Sequence, residues 1–129
     1  MSKITFEEIF KSQEIRAYIQ IADQSLAALG FTEHAFAHCT RTAEIAHQLL
    51  IQLNYDARLA ELARIAGYIH DIGNVVNRVD HAQSGAVMAF RILDKMGMDA
   101  TEVAMIVSAI GNHDESTAFP VNALAAALI

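Results

Sequence analysis

The sequence predicts an all-α fold, one domain built as a helical bundle of about six helices. Three observations predict it. Apolar residues recur three and four positions apart through most of the 129-residue chain, the period of a helix with one buried face. The runs are bracketed by side chains that cap helices and by glycines that end them. No stretch of useful length alternates apolar and polar residues as a strand would, and there is no internal repeat or low-complexity tract.

Thr5 followed by Glu8 is a capping-box pattern, and Ile9, Ile15, Tyr18, Ile19, Ala22 and Leu26 carry a first helix from Phe6 to Leu29, ended by Gly30. Thr32 caps a second helix to about Leu53, with Phe36, Ile45, Leu49 and Leu50 on its apolar side and Asn54 as its stop. This helix carries His34, His38 and His47. Asp56 starts the third, where Leu59, Leu62, Ala63, Ala66 and Ile69 make the core stripe and Gly73 supplies permissive backbone after the last turn, which holds His70 and Asp71. A fourth helix runs from about Ala82 to Met96 and is closed by Gly97. A fifth opens at Asp99, with Glu102 completing a second capping box, and ends near Gly111. Pro120 suits the first turn of a sixth, Val121 to Ile129, apolar apart from Asn122.

Composition bounds the function. With 53% apolar residues the chain can bury one core. Nine basic against fifteen acidic side chains give a net charge of −6, which disfavours a nucleic acid polymer as partner. The single cysteine, Cys39, excludes an intramolecular disulfide and agrees with a reducing compartment. There is no basic and apolar leader and no run of eighteen apolar residues. The expectation is a cytoplasmic chain without a membrane partner.

Tyr68-Ile69-His70-Asp71-Ile72-Gly73-Asn74 places two metal-ligand types side by side at the polar end of an apolar helix. Neighbours on a helix diverge by about 100°, so two adjacent ligands serve one cluster most easily where the helix stops. Alone, the pair also fits a histidine interacting with a helix dipole beside a solvated aspartate. Its companions change the balance: His38 upstream and His81, His113 and Asp114 downstream each stand at the edge of a different helix. His34 and His38, four apart, share a face, but Ala35 occupies the position of the catalytic glutamate of the His-Glu-x-x-His peptidases. His34 and His47 are therefore read as ordinary helix histidines. Met88, Met96, Met98 and Met105 read as core filler, Arg78 and Lys95 as surface cations ahead of the alternative that they reach an anionic substrate, and Asn74 and Asn77 as loop residues at the mouth of the site.

The order His38, His70-Asp71, His81, His113, with Gly85 four residues after His81, resembles the HD-domain metal-dependent phosphohydrolases over Phe36 to Ile129. The resemblance implies that His38, His70 and Asp71 are metal ligands. His81 and His113 match the additional histidines of members with two or more ions, in which the tandem aspartate bridges. Arg41, in His38-x-x-Arg41, matches a basic position beside the first ligand and is implied to hold a phosphate oxygen; with Asp71 it makes up the expected catalytic pair. Asn74 stands where the cyclic-dinucleotide branch commonly has lysine, and His113-Asp114 where it often has paired histidines, which argues against that specificity. The family's last ligand is an aspartate after an apolar helix much like Val121 to Ile129, and no such residue is present. Three readings stay open: a chain that natively continues past Ile129, a member that binds without turnover, or Asp114 or Glu115 as substitute. The uncapped end Ala-Ala-Ala-Leu-Ile favours the first, and Asp114 is kept as a candidate ligand.

Histidine nitrogen with carboxylate oxygen suits one or two divalent transition metals, Fe, Mn, Zn, Ni or Co, better than Ca or Mg. The expected function is hydrolysis of a small phosphorylated substrate, foremost a nucleotide, by a metal-bound hydroxide. The alternatives are a non-catalytic metal- or nucleotide-binding sensor module and a diiron oxygenase of the same fold family. Leu124, Leu128 and Ile129 are expected to pack on the bundle or on a second copy, which leaves a homo-oligomer open.

Overall fold

The computed structural model describes residues 3–31, 35–114, 120 and 122–128, and among these the regular structure is entirely helical. The helices are α1 (Phe6–Lys11), α2 (Gln13–Ala28), α3 (Ala35–Gln52), α4 (Ala57–Ile69), α5 (His81–Met96), α6 (Ala100–Gly111) and α7 (Ala123–Leu128), with a 3₁₀ turn at Ile72–Val75 between α4 and α5.

The expected first helix is two. Ser12 is extended (φ −64°, ψ 119°); its N–H donates to the Ile9 carbonyl while its hydroxyl accepts from the Ile15 N–H, so one residue ends α1 and caps α2. The capping box at Thr5 and Glu8 forms, as does the Asp56 cap of α4, whose carboxylate accepts from the Leu59 N–H. Asp99 caps α6 through the Thr101 and Glu102 N–H groups, but Glu102 does not reach back. Its carboxylate instead takes the Arg58 guanidinium at 2.6 and 2.8 Å. Arg58 also donates to Glu61 and to the Ile4 carbonyl, tying the start of the chain, α4 and α6 together. At the far end Asn122 caps α7, accepting from the Ala125 N–H at 2.8 Å. Thr32, His34, Val121 and Ile129 lie outside the described residues.

Alanines decide which face of α3 is buried. Ala35, Cys39, Ala43, Ala46 and Leu50 face inward, whereas Ile45 and Leu49, expected on the core side, are exposed. The cause is close approach to α4: a Cβ on Gly67 would lie 2.9 Å from the Ala43 Cα, so only a stripe of small residues fits the interface. Tyr68, with no exposed surface, anchors the core among Phe6, Phe10 and Phe36 at centroid distances of 5.5–6.2 Å. Met98 is buried, and Met88, Met96 and Met105 pack partly buried against the core. Leu124 is fully buried, so α7 seats on the bundle against α3, α4 and α6.

Gly73 has a different role from a left-handed helix stop. Positive φ among the glycines occurs at Gly30 and Gly97. A Cβ at Gly73 would instead overlap the His81 carbonyl and the Gly85 amide. The glycine lets the 3₁₀ turn press directly on the first turn of α5, with α2 on its other side. That contact carries His81 to the end of α4.

Candidate metal centre

Four elements deliver five side chains to one point. His38 projects from α3. His70 is the C-cap of α4, and Asp71 follows it at φ −99°, ψ 10°, out of the helix. His81 opens α5, one residue earlier than the pattern suggested, because Asp80 takes the left-handed conformation (φ 57°) that an aspartate tolerates. His113 lies just past α6.

Asp71 is the centre. Its Oδ2 lies 3.1 Å from His38 Nε2 and 3.2 Å from His70 Nε2, which are 3.2 Å from each other. Its Oδ1 lies 3.4 Å from His81 Nε2 and 3.2 Å from His113 Nε2. Two groups able to hold an ion therefore share one carboxylate: His38, His70 and Asp71, and Asp71, His81 and His113.

The opposite edges of three rings are fixed by backbone. His70 Nδ1 meets the Gly67 carbonyl at 2.6 Å, His81 Nδ1 the Arg78 carbonyl at 3.0 Å, and His113 Nδ1 the Ile110 carbonyl at 2.5 Å. A carbonyl only accepts, so each Nδ1 donates to it, and this contact turns the Nε2 edge of each ring toward Asp71. This is the arrangement in which metal-binding histidines are oriented.

The donor set fits a cation. Donors held about 2.1 Å from one ion lie roughly 3.0–3.4 Å from each other, and the measured edges fall in that range. The Nε2 atoms of His38 and His70 face each other and the same oxygen; one shared proton cannot bond all three, whereas a cation among them can. Burial alone would raise the Asp71 carboxyl, but hydrogen bonds from His113, His38, His70 and His81 outweigh it and hold the group far below the usual carboxylate range. The hydrogen bond to Asp71 in turn pushes His81 up against its burial. Cys39, beside His38 in sequence, is buried, burial pushes its thiol up, and it belongs to neither donor group.

Other candidates fall in graded positions. Asp114 lines the same cavity but faces the Nδ1 edge of His81, 3.7 Å away, and belongs to neither donor group. Arg41 is exposed and absent from the cavity lining, where Arg78 supplies the guanidinium. Arg78 was read from the sequence as a surface cation; its guanidinium is positioned by Asn74, whose Oδ1 accepts from Nη1 at 3.3 Å while its Nδ2 donates to the Asp71 carbonyl at 2.9 Å. Asn74 is thus buried and structural rather than at the mouth, and Asn77 accepts from the Val79 N–H in the loop. Lys95 is a surface residue 3.8 Å from Glu14. Glu115 lies outside the described residues. The cavity measures about 310 Å³, and Leu128 brings the end of α7 to its wall. A groove of about 610 Å³ between α1, α3 and α4 contains the paired ions Arg64 and Glu44 and no histidine; the converging histidines line the smaller cavity.

No helix of the described residues is long and apolar enough to cross a membrane. The HD domain family model matches residues 35–127. No curated protein matches the sequence. Among solved structures, the chain is similar to a crystal structure described as a predicted HD superfamily hydrolase from an uncultured Thermotogales bacterium, at 28% identity over 95% of this chain and 71% of that one, with a TM-score of 0.64. The family match takes in all five side chains that meet at Asp71, and the chain belongs to the HD-domain family.

Proposed function

We propose that the protein is a metal-dependent phosphohydrolase acting on a small phosphorylated substrate, with nucleotides as the foremost class. The observation that supports this reading is the division of Asp71: each carboxylate oxygen faces its own pair of histidine Nε2 atoms. Divalent ions of the Fe, Mn, Zn, Ni or Co type, when bound, supply hydroxide near neutral pH and neutralise phosphoryl oxygens. His38 and His70 would hold one ion and His81 and His113 the other, with Asp71 between them.

The chain's own residues do the positioning. The carbonyls of Gly67, Arg78 and Ile110 keep three imidazoles aimed. Asp71 stays ionised and keeps the two groups in register. Arg78, in the cavity wall, meets the phosphoryl oxygens with a planar guanidinium, the geometry suited to a phosphate group. In the net reaction water oxygen bonds to phosphorus, the phosphorus bond to the ester oxygen breaks, and the released oxygen takes a proton, giving an alcohol and inorganic phosphate.

Phosphate release from a panel of nucleotides, cyclic dinucleotides and sugar phosphates, with each metal in turn, tests the reading. Metal-dependent turnover that Asp71→Asn abolishes supports it. No turnover with any metal, with metal still bound, moves the protein to a sensor. Oxygen consumption with reduced iron moves it to an oxygenase.

A further inference from the structure

The cavity over the cluster does not end at the metal donors. A second cavity of about 210 Å³ adjoins it, and His38, Asp71 and Arg78 line both. The rest of the second cavity is apolar, formed by Leu26, Phe31 and Ala35. The first cavity alone is at the low end of the ~300–1,000 Å³ of small-molecule sites, and the second enlarges the space next to the cluster.

Backbone fixes this apolar wall. The Gly30 N–H donates to the Ala27 carbonyl and the Phe31 N–H to the Leu26 carbonyl, both at 3.0 Å, with Gly30 at φ +94°. These are the paired bonds of a Schellman ending, which folds the residue after the glycine back toward the residue five before it; here they are Phe31 and Leu26. Asp23 of α2 accepts from the Ala35 N–H at 2.9 Å and fixes the start of α3 beside them. Phe31 nonetheless remains 48% exposed. The Arg78 guanidinium carbon sits 5.5 Å from the centre of its ring, so the cation that faces the cluster also borders the aromatic face.

Resting on the phosphohydrolase reading, we infer that Leu26, Phe31 and Ala35 form the subsite for the organic part of the substrate, with Phe31 stacking on a flat aromatic group, so that the substrate class is a nucleoside monophosphate rather than a sugar or polyol phosphate. With a phosphoryl group at the cluster and Arg78, the adjoining cavity, which shares His38, Asp71 and Arg78, is in reach of the ester's organic part. A half-exposed ring fixed by its backbone is a stacking platform for a base, and the guanidinium at its border is shared between base and phosphate.

Adenosine 5′-monophosphate and ribose 5-phosphate differ by the base alone, which makes them the test pair. Their affinities are measured by calorimetry on the manganese-supplied protein, with phosphate release followed in parallel. The wild type binds the nucleotide at least about fivefold tighter, the lower end of base stacking on an aromatic ring. Phe31→Ala removes that preference while ribose 5-phosphate changes less than about twofold, within the range of surface substitutions. Phe31→Tyr keeps the preference and Phe31→Leu loses it, which separates stacking from apolar contact. Unchanged thermal midpoints in these variants exclude misfolding. Equal affinity for the two ligands in the wild type, parallel weakening of both in Phe31→Ala, or no binding of either overturns the subsite. Phe31-dependent nucleotide binding without phosphate release keeps the subsite and refutes the hydrolase. Phosphate release from both ligands with no dependence on Phe31 does the reverse.

Discussion

Two polar clusters are set into this bundle, and they resolve their charge in opposite ways. At Arg58 one guanidinium meets Glu102 twice, Glu61 once and the Ile4 carbonyl, at 2.6–2.9 Å, so donors and acceptors are matched within the protein. At Asp71 a single carboxylate faces four imidazole Nε2 atoms, three of them on rings whose Nδ1 donates to a carbonyl on the other edge. The first cluster is complete and holds elements together. The second gathers four imidazole nitrogens on one carboxylate, a donor set that could hold a cation. Conventional burial does not separate the two, since Arg58 and Asp71 both have mostly covered side chains. What separates them is the tally of donors against acceptors.

The largest expected effect breaks the second cluster alone. Asp71→Asn removes the charge shared by both donor groups, and phosphate release should fall by more than about a hundredfold, beyond the loss typical of altering a ligand's hydrogen-bond partner. Its fold should survive, which circular dichroism would show. Arg58→Ala should give the mirror result: a loss of about 1.5–3 kcal/mol in denaturant unfolding, because two carboxylates lose a partly buried, charge-assisted partner, with metal content per folded chain unchanged. If Arg58→Ala instead empties the metal site, the clusters are coupled and the contrast fails.

A smaller effect tests how the site is assembled. Gly73→Ala forces a methyl group into the His81 carbonyl and the Gly85 amide, a backbone clash worth about 1–3 kcal/mol. It should weaken binding at His81 and His113 before that at His38 and His70, read as two separated phases in a metal titration. A uniform loss across both phases would show that the turn does not position α5.

The smallest effect is in pH. The hydrogen bond from Arg58 lowers the Glu102 carboxyl despite some burial. A carboxyl lower in the folded state stabilises above its unfolded pKa, and that contribution is lost as pH falls through the folded one. The destabilisation caused by Glu102→Gln should therefore be full at neutral pH and shrink by about 1 kcal/mol or less in the acid range below the unfolded carboxyl. A destabilisation constant from pH 7 to the acid limit would mean that the glutamate contributes by packing.

The helices and the five converging side chains were legible because they depend on residue identity and period. His38, His70, Asp71, His81 and His113 are potential ligands wherever the backbone goes, and their order sufficed to bring out the family resemblance. The break at Ser12 was less visible, since one hydroxyl does the work of a stop and a start together. The buried face of α3 was misread at Ile45 and Leu49 because hydrophobicity ranks isoleucine above alanine, while the approach of Gly67 to Ala43 admits only small side chains. Arg78 escaped for another reason. Its aim depends on Asn74 and the turn after Asp71, and Asn74 read as a loop residue at the mouth rather than as a brace.

Metal stoichiometry tests the central claim most directly. Protein stripped of metal and titrated with Mn or Zn should take up two ions in the wild type. His38→Ala and His81→Ala should each lose one, a different one in each case, and Asp71→Asn should weaken both. Wild type and His70→Ala with the same metal content across Fe, Mn, Zn, Ni and Co would contradict the account.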